Sequence, residues 1–399
     1  MKIIAFVGET FEKNNDSYFA KPTSAAFLQN AIGKDNVYVA SSFNSKSTLS
    51  TNYSTQVDKL HFYEFPHYSS TKNFVIQTVT KKGFLKEYKD TADKIIQKHS
   101  GSYFWVRTPS IGSIVFGLRV LKSNEKLLHH MCADASHTWK DKKYTFINKV
   151  GGYILSRIIR LLLANICRNK NTINLCTGDI LEKFSKKHSP LKTYQFVDLM
   201  SKKSNLINEN QTSRTNESKL FRLAFVGRLV EDKGIFDLLN AVKNQPKNVM
   251  LNIVGGGESY EEVIAFINKN KLNDRVFIHG QLSFHELAKI YKETDLTIVP
   301  SNNYYEGFPR VIMESWSYGI PVIVSNVGGI NAFVKDRVNG LIMQPGDTKE
   351  LEELISLAIN NKDIYRSIKN GATDMVEYSS FEYWSDKMLS IIKENNNEA

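Results

Sequence analysis

The stretch SNNYYEGFPRVIMESWSYGIP, at residues 301–321, is the most informative part of this chain about its function. Two carboxylates, Glu306 and Glu314, stand eight residues apart in it, one on each side of a Gly-Phe-Pro turn. We expect Pro309 to be the first helical residue, where its missing N–H costs nothing, and a short helix to follow over 311–318. Unpaired N–H groups at such a helix start bind hydroxyls or phosphate well. Acceptors and donors together suit a polyhydroxylated, anionic ligand such as a nucleotide sugar, although on spacing alone two such glutamates are ordinary surface residues.

The composition describes a globular chain with more than one domain. At 399 residues with 42% hydrophobic content, the chain is too long for one typical domain, so we expect two. Its three cysteines, Cys132, Cys167 and Cys176, form no CxxC pair, which favours a reducing compartment and argues against a zinc site. The apolar run near the N-terminus is too short for a signal peptide, and no apolar run reaches the roughly 18 residues that span a membrane. We therefore expect a cytoplasmic protein without a membrane-spanning segment.

The net charge of +11 is unevenly distributed along the chain. Residues 1–219 carry +16, whereas residues 220–399 carry −5. The basic half suits an anionic membrane surface or a phosphate-bearing acceptor, and it fits an ordinary lysine-rich surface equally well. No recognisable nucleic-acid-binding motif accompanies these lysines, which are scattered rather than clustered on one helix, so nucleic acid is not expected as a partner.

The first half alternates short apolar strands with helices, which predicts a parallel α/β sheet. The expected strands are 3–7, 37–41, 59–65, 103–106, 126–130 and 174–177, the expected helices 24–31, 91–99, 112–121 and 153–166, and the expected loops 9–22 and 41–55. Ser24 is expected to cap the first helix. Ligands of parallel sheets lie beyond the carboxyl ends of the strands. Gly8, Arg107 and the pair His129 and His130 fall at such ends and are candidate site residues.

The predicted helix at 153–166, YILSRIIRLLLANI, has a strongly apolar sequence that only Arg157 and Arg160 interrupt with charge. It follows a polar, aromatic and basic loop at 133–146. One interpretation is an amphipathic segment that dips into a membrane interface. The other is a helix that packs on the sheet while its two arginines reach outward. The sequence leaves both open.

The second half predicts another doubly wound unit. Its expected strands are 221–226, 249–254, 276–279, 296–299, 322–325 and 341–342. One helix is expected to begin at 236, and four more are expected at 260–270, 284–293, 349–360 and 383–395. Glycines at several strand ends would let the backbone approach a ligand closely. The segment at 201–219, dense in Ser, Asn and Lys, is typical of a linker between the two halves.

Two basic residues lie just past the first strand of this second half. Arg228 offers a planar fork of donors and Lys233 a point charge, and together they suit a diphosphate. They would also neutralise the charge of a departing nucleoside diphosphate. An ordinary basic loop has the same composition, so this short segment does not decide the matter alone.

Four motifs follow one another in the second half: GRLVEDKG from Gly227, IVGGGE from Ile253, the Glu306 to Glu314 stretch continuing into GIPVIVSNVGG, and NGLIMQPGD from Asn339. In this order and spacing they resemble the retaining glycosyltransferases of family 4, within the glycosyl transferases group 1 and with the GT-B fold.

The resemblance covers residues 220–375. It implies an α/β protein of two facing, doubly wound, Rossmann-like domains. The ranges would be an acceptor-binding domain at 1–200, a linker at 201–219, a nucleotide-sugar-binding domain at 220–375, and a C-terminal helix at 376–399 that crosses back to the first domain.

The resemblance also implies a catalytic set of four residues. Arg228 and Lys233 would hold the donor diphosphate, and Glu306 would lie beside the transferred sugar. A histidine that follows a strand in the first domain, His130 or its neighbour His129, would lie close to the reacting sugar carbon.

The remaining contacts implied by the resemblance are to the donor. Glu314 would bind the ribose hydroxyls of the nucleotide. Further contacts would come from Gly8, Gly255, Glu258, Gly307, Phe308, Arg310 and Val311. The substrate would be a UDP-, GDP- or other nucleoside-diphosphate sugar, with no bound metal or other cofactor.

The expected activity is retaining transfer of a sugar to a hydroxyl of a glycan or lipid-linked acceptor, in bacterial surface polysaccharide or lipopolysaccharide synthesis. The expected location is the cytoplasm, with the protein peripheral on the inner face of the membrane. Two alternatives remain: a sugar-nucleotide epimerase of the same fold, which would convert the donor without acceptor, and a non-catalytic nucleotide-sugar-binding module.

Overall fold

The computed structural model describes residues 1–45, 53–134, 136, 139, 145–201 and 220–397. The chain forms two compact units. The first comprises Met1–Met200, Tyr305–Phe308 and Trp384–Ala399, and the second comprises Ser201–Tyr304 and Pro309–Tyr383. The predicted linker at 201–219 lies, apart from Ser201, outside the described residues.

Nine strands form one sheet in the first unit. They are β1 (Ile3–Asn14), β2 (Ser17–Ala20), β3 (Val37–Ser45), β4 (Thr55–Asp58), β5 (Phe62–Phe65), β6 (Tyr103–Thr108), β7 (Lys126–Met131), β8 (Thr172–Cys176) and β9 (Thr193–Gln195). Seven run parallel in the order β5-β3-β1-β6-β7-β8-β9, whereas β2 and β4 pair antiparallel. The strand order reverses between β1 and β6, so the carboxyl ends of these two strands flank the crevice where ligands of doubly wound sheets bind.

Helices cover the faces of this sheet, and aromatic side chains fill much of the space between. The helices are α1 (Ser24–Ile32), α2 (Thr71–Thr80), α3 (Phe84–Lys98), α4 (Ile111–Lys122), α5 (Phe146–Cys167) and α6 (Asp179–Lys186). The ring of Phe6 on β1 meets Phe65 edge to face at 4.9 Å and lies 5.3 Å from Phe116. Because both faces of the sheet are covered here, β1 begins with a continuous apolar run at 3–7 and β6 with one at 103–106, rather than with alternating residues.

Six parallel strands form the sheet of the second unit. They are β10 (Phe221–Val226), β11 (Val249–Val254), β12 (Val276–Ile278), β13 (Leu296–Val299), β14 (Val322–Ser325) and β15 (Gly340–Met343), in the order β12-β11-β10-β13-β14-β15. The helices that follow are α7 (Ile235–Lys243), α8 (Tyr260–Lys269), α9 (Phe284–Glu293), α10 (Arg310–Trp316), α11 (Thr348–Asn360), α12 (Lys362–Asp374) and α13 (Phe381–Asn397). The order reverses between β10 and β13, and the core is mostly aliphatic.

From Trp384 onward, α13 is part of the first unit. The Trp384 ring lies 6.0 Å from that of Phe196. Near the end of the helix, the side-chain amide of Asn395 donates to the Tyr194 hydroxyl at 3.1 Å, and the Tyr103 hydroxyl donates to Asn396. These contacts attach the last turns of the chain to β6 and β9.

The first strand differs from its prediction. It does not end at Gly8 but continues to Asn14 and turns back into β2, so the loop predicted at 9–22 is wrong. Gly8 has a φ of +70° and lies where the register with β3 shifts. A glycine adopts this conformation readily, and the local irregularity lets the strand bend and continue.

Two helix starts also differ from their predictions. Ser24 is the first residue of α1 rather than its cap. Its hydroxyl donates to Asp198 at 2.9 Å and does not accept from a backbone N–H of the helix. Pro309 takes the cap position of α10, with an extended ψ of 113°, and Arg310 is the first helical residue.

Two helices, α2 and α12, were not predicted, because each contains residues that disfavour a helix. The sequence of α2, TKNFVIQTVT, is rich in β-branched residues, which favour strands. It begins with a cap in which the Ser70 hydroxyl accepts from the Asn73 N–H at 3.1 Å. Helix α12 contains Gly371, where a Cβ would stand 2.0 Å from the carbonyl oxygen of Val338. The glycine thus weakens the helical pattern while permitting close packing.

Helix α5 is longer than predicted, with 22 residues rather than the 14 of the interval 153–166. Its residues 148–167 are long and apolar enough to cross a membrane by length and composition, contrary to the expectation that no such segment exists. A core helix of a globular unit passes the same test, however, and α5 contributes Ile159, Leu163 and Ile166 to the core of the first unit.

Candidate functional site

The loop between β10 and α7 lies at the point where the second sheet reverses its strand order. Arg228 is the second residue after β10 and is exposed. Lys233 ends a single 3-10 turn, Glu231–Lys233, and is partly buried. Both predicted diphosphate-binding residues therefore lie on the carboxyl edge of the sheet, where ligands of such folds bind.

This loop is fixed to the residues that follow β13. The N–H of Asn302 donates to the backbone oxygen of Asp232 at 2.8 Å, and the side-chain amide of Asn303 donates to the Asp232 carboxylate at 3.2 Å. Gly234 has a φ of +69°, and a Cβ there would stand 1.8 Å from the carbonyl oxygen of Pro300. The backbone contact that places Lys233 therefore requires a glycine as the next residue.

The glycine-rich turn after β11 packs against the same loop. A Cβ at Gly255 would stand 1.8 Å from the carbonyl oxygen of Gly227, and one at Gly257 would stand 2.3 Å from that of Leu229. The N–H of Leu229 donates to the oxygen of Gly256 at 3.0 Å. These glycines were expected to let the backbone approach a ligand, but here they let one backbone loop approach another. The contacts are to Gly227 and Leu229, the residues on either side of Arg228, and they hold that part of the loop in place. Glu258, which follows the turn, is exposed.

Glu314 lies within α10 and is partly buried. Burial raises the pKa of its carboxyl above the ordinary glutamate value, and the positive charge of Arg310 and the hydroxyl of Tyr291 offset this only in part. The rings of Tyr291 and Tyr318 stack at 5.2 Å beside it. Arg310 and Val311, in the first turn of α10, are partly buried as well. The second unit therefore brings Arg228, Lys233, Gly255, Glu258, Arg310, Val311 and Glu314 to its carboxyl edge or the elements next to it.

The short segment Tyr305–Phe308 belongs to the first unit. Glu306 forms an antiparallel bridge with Ala133, and the N–H of Asp134 donates to the carbonyl oxygen of Tyr305 at 2.9 Å. A Cβ at Gly307 would stand 2.4 Å from the carbonyl oxygen of Cys132, so the segment approaches the end of β7 closely. Phe308 is buried. Glu306 and Gly307 thus lie beside the residues that follow β7.

Both candidate histidines lie inside β7 rather than after it, and each is 0% exposed. The ring nitrogens of His129 are 2.9 Å from Thr108 Oγ1 and 3.0 Å from Asn174 Oδ1. His130 points to the other face, with Nε2 3.0 Å from Thr177 Oγ1. Both rings are therefore covered by protein in this structure, and the position of a histidine beside the reacting sugar carbon stays a prediction.

Burial lowers the pKa of His129 to about 4, although its hydrogen bond with Asn174 acts in the opposite direction. The ring is therefore neutral at physiological pH. A neutral imidazole between a hydroxyl and an amide satisfies one donor and one acceptor in the core. We interpret His129 as a structural residue.

Asp134 is a candidate site residue that the sequence did not predict. It follows β7 by three residues, is partly buried, and its carboxylate accepts from the Ser136 N–H at 2.9 Å. It lines a cavity of about 370 Å³, including the open mouth, with Arg160 of α5 and Phe184 of α6. The sequence signal for Asp134 is a carboxylate within a few residues of a strand end, at the edge of the sheet where ligands bind.

Gly8 lies in the middle of β1, beside charged residues near the carboxyl end of β6. A Cβ at Gly8 would stand 2.6 Å from that of Ser110, and Gly8 itself is exposed. Arg107 Nη1 is 3.3 Å from Glu9 Oε1, and Arg107 Nε is 3.7 Å from Asp198 Oδ2. These two carboxylates hold the guanidinium in place at the end of the strand.

Residues 207–375 match the family "Glycosyl transferases group 1". An uncharacterized glycosyltransferase of Methanocaldococcus jannaschii is 32% identical over 170 residues, which are 42% of this chain and 46% of that protein. The capsular polysaccharide biosynthesis glycosyltransferase CapM of Staphylococcus aureus is 28% identical over 175 residues, 42% of this chain and 44% of CapM. The matched regions thus span less than half the length of these curated relatives.

The crystal structure of Anabaena HepE in complex with UDP superimposes on 99% of this chain and 100% of HepE, with a TM-score of 0.69 and 16% identity. At that identity the likeness shows the fold, which is GT-B. The predicted fold class of two Rossmann-like, doubly wound units is therefore confirmed.

Proposed function

We propose, from the premise that residues 207–375 belong to the glycosyl transferases group 1 family, that this protein transfers a sugar from a nucleoside-diphosphate sugar to an acceptor hydroxyl. The transfer would retain the anomeric configuration, as in the glycosyltransferases of family 4 that the sequence motifs resemble. The acceptor would be a glycan or a lipid-linked glycan.

One observation carries the proposal. Arg228 and Lys233 lie on one loop at the carboxyl edge of the second sheet, at its reversal of strand order, and the contact of Asp232 with Asn302 fixes that loop. Two preorganised cations suit the two phosphates of a nucleoside diphosphate and stabilise the charge that develops as it departs. They supply the charge neutralisation that a metal ion gives other transferases, so we propose that no metal is needed.

The proposed roles of the other site residues are based on their positions within each unit. Glu314, partly buried on α10, would accept hydrogen bonds from the ribose hydroxyls. Glu306, beside the end of β7, would lie by the transferred sugar, and Asp134 would orient an acceptor hydroxyl.

The place of the activity in metabolism is also proposed. CapM, whose name assigns it to capsular polysaccharide biosynthesis, supports a role in assembling a bacterial surface polysaccharide. The net charge of +16 on residues 1–219 supports a cytoplasmic protein that is peripheral at an anionic membrane, where lipid-linked acceptors are found.

The experiment that tests the activity begins with a screen of nucleotide sugars for an increase in the melting temperature, because a ligand that binds the folded state alone stabilises it. The stabilising donor is then incubated with glycan and lipid-linked acceptors, and the anomeric configuration of the product is determined by NMR. Transfer with retention supports the proposal. Inversion would contradict the retaining mechanism.

The two alternatives give different results in the same experiment. An epimerase of this fold would convert the donor sugar without acceptor. A binding module would be stabilised by the donor but would release no nucleoside diphosphate under any condition. Either result would replace the proposed activity.

A further inference from the structure

A stripe of apolar side chains runs along the outer face of α5. Its members recur at intervals of three or four residues, the spacing that places side chains on one side of a helix. They are Phe146, Val150, Ile154, Ile158 and Leu161, and all five are exposed. The opposite side of α5 is packed into the core of the first unit through Ile159 and Leu163. The helix is therefore apolar on both sides, and only one side is covered.

A second helix of the same unit has the same property. In α2, Val75, Ile76 and Val79 are exposed on one side, whereas Phe74 is buried on the other. The ammonium group of Lys72 donates to Asn148 Oδ1 at 3.3 Å, which brings α2 next to the start of α5. We call the exposed sides of the two helices together the α2–α5 face.

The α2–α5 face concentrates apolar surface to an unusual degree. Nineteen large hydrophobic side chains are exposed among the described residues, and nine of them belong to these two helices. Single exposed apolar residues are normal on any protein, but a concentration of this kind marks a surface that is covered in use.

The charge of the face indicates what covers it. Neither α2 nor α5 contains an aspartate or a glutamate, whereas Lys72, Lys149, Arg157 and Arg160 lie on them. Arg157 lies three residues after Ile154 and four before Leu161, on the same side of the helix, and its guanidinium is 5.0 Å from the Tyr153 ring. An apolar stripe that includes cationic and aromatic side chains fits an anionic lipid surface, where the apolar groups enter the acyl boundary and the cations extend to the phosphates.

We propose that the α2–α5 face docks the protein on an anionic phospholipid bilayer. The inference rests on the peripheral location within the proposed function and assigns it to particular side chains. Helix α5 lies in the plane of the interface and does not cross the bilayer, because its inner side is part of the core and would have to leave it to span.

The test uses the full chain and flotation with vesicles of phosphatidylcholine, with and without phosphatidylglycerol. The wild-type protein should float with the anionic vesicles and remain below with the neutral ones. A variant carrying Val79→Ser, Phe146→Ser and Leu161→Ser removes three side chains that are 80%, 81% and 66% exposed. Binding should weaken by about tenfold or more, since membrane affinity scales with the buried apolar area.

The matched control carries Leu60→Ser and Leu191→Ser, at two side chains of the same unit that are 85% and 87% exposed but lie on other elements. It should bind like the wild type. Wild-type affinity in the triple variant would overturn the assignment, as would equal binding to neutral vesicles. Self-association in sedimentation velocity that the triple variant loses, without lipid binding, would identify a second copy as the occupant and also overturn it.

Failure of this inference can be told from failure of the proposed function. Donor turnover with a soluble acceptor is measured without vesicles, and the triple variant should retain it, because none of its three positions belongs to the candidate site. A wild-type protein that turns over donor but ignores anionic vesicles would refute the docking surface alone.

Discussion

The carbonyl oxygen of Gly227 lies 1.8 Å from the place that a Cβ at Gly255 would occupy. Gly255 also has a φ of +138°, a conformation that other residues rarely adopt. Two loops at the carboxyl edge of the second sheet therefore share one space, and one of them carries Arg228.

Replacing Gly255 by alanine should both destabilise the second unit and disturb the loop that carries Arg228. Strain and overlap together predict a loss of about 2–4 kcal/mol in the free energy of unfolding, measured by urea denaturation. The control is Gly256→Ala, because the nearest atom to its Cβ would be the Gln281 side-chain nitrogen at 3.4 Å. That variant should lose under about 1 kcal/mol. Equal losses in the two variants would contradict the role of the loop contact.

Lys233→Ala should reduce the rate of sugar transfer by about 100-fold or more while the fold is retained, because it removes one of two cations that face the departing diphosphate. Lys247→Ala, at an exposed lysine of the same unit, serves as the control and should be fully active. Steady-state kinetics and circular dichroism together distinguish a lost charge from a lost fold. Undiminished turnover in Lys233→Ala would remove this residue from the mechanism.

Glu314 predicts a pH dependence of donor binding. Its pKa is raised by burial, so on acidification the carboxylate is protonated at a higher pH than an ordinary glutamate. The affinity for the donor should therefore fall as the pH decreases through that raised pKa, since the neutral acid is a weaker acceptor for ribose hydroxyls. Calorimetric titration across the acidic range measures this. In Glu314→Gln the affinity should be lower and flat over the same range, and an identical profile in both proteins would exclude Glu314.

His129 predicts a pH dependence of stability. Its pKa is about 4 in the folded chain and about 6.5 in the unfolded one, so between these values the unfolded state binds more protons. Stability must then fall as the pH decreases, by about 2 kcal/mol between pH 7 and pH 5. The His129→Gln variant lacks this titration, so its free energy of unfolding should fall by about 2 kcal/mol less than that of the wild type over the same pH interval. Equal slopes for the variant and the wild type would show that His129 does not titrate in this way.

Asp134→Asn should weaken acceptor binding selectively. The carboxylate lies at the carboxyl edge of the first sheet, so its loss should raise the KM for the acceptor by about tenfold and leave the KM for the donor unchanged. Asp35→Asn, at an exposed residue of the same unit, is the control. A change in the donor KM alone would place Asp134 on the donor side instead.

The sequence predicted the second unit almost completely. Strands β10 and β11 match their predicted bounds, because each is mostly apolar, with one polar residue, and is followed by a glycine. Arg228 and Lys233 lie on the loop after β10 and Glu314 lies on α10, the elements that the sequence predicted for them. In these elements local signals and the final structure agree.

The first unit was harder to predict, and the differences between its structure and the predictions have physical causes. His129 and His130 carry a chemistry that is common at sites, but only the three-dimensional structure shows that both rings are covered. The continuation of β1 depends on pairing with β3 and β2, which no local pattern reports. Helix α2 has a strand-like composition, and its tertiary contacts override that preference.

The first unit is built from three separate pieces of chain, the last of which begins at Trp384. When residues 1–200 have been translated, Trp384, which packs on Phe196, and Asn395, which bonds to Tyr194, have not yet been synthesised. During synthesis the residues near β9 therefore lack these contacts until almost 200 further residues have been added. Truncation at residue 200 would make that temporary condition permanent.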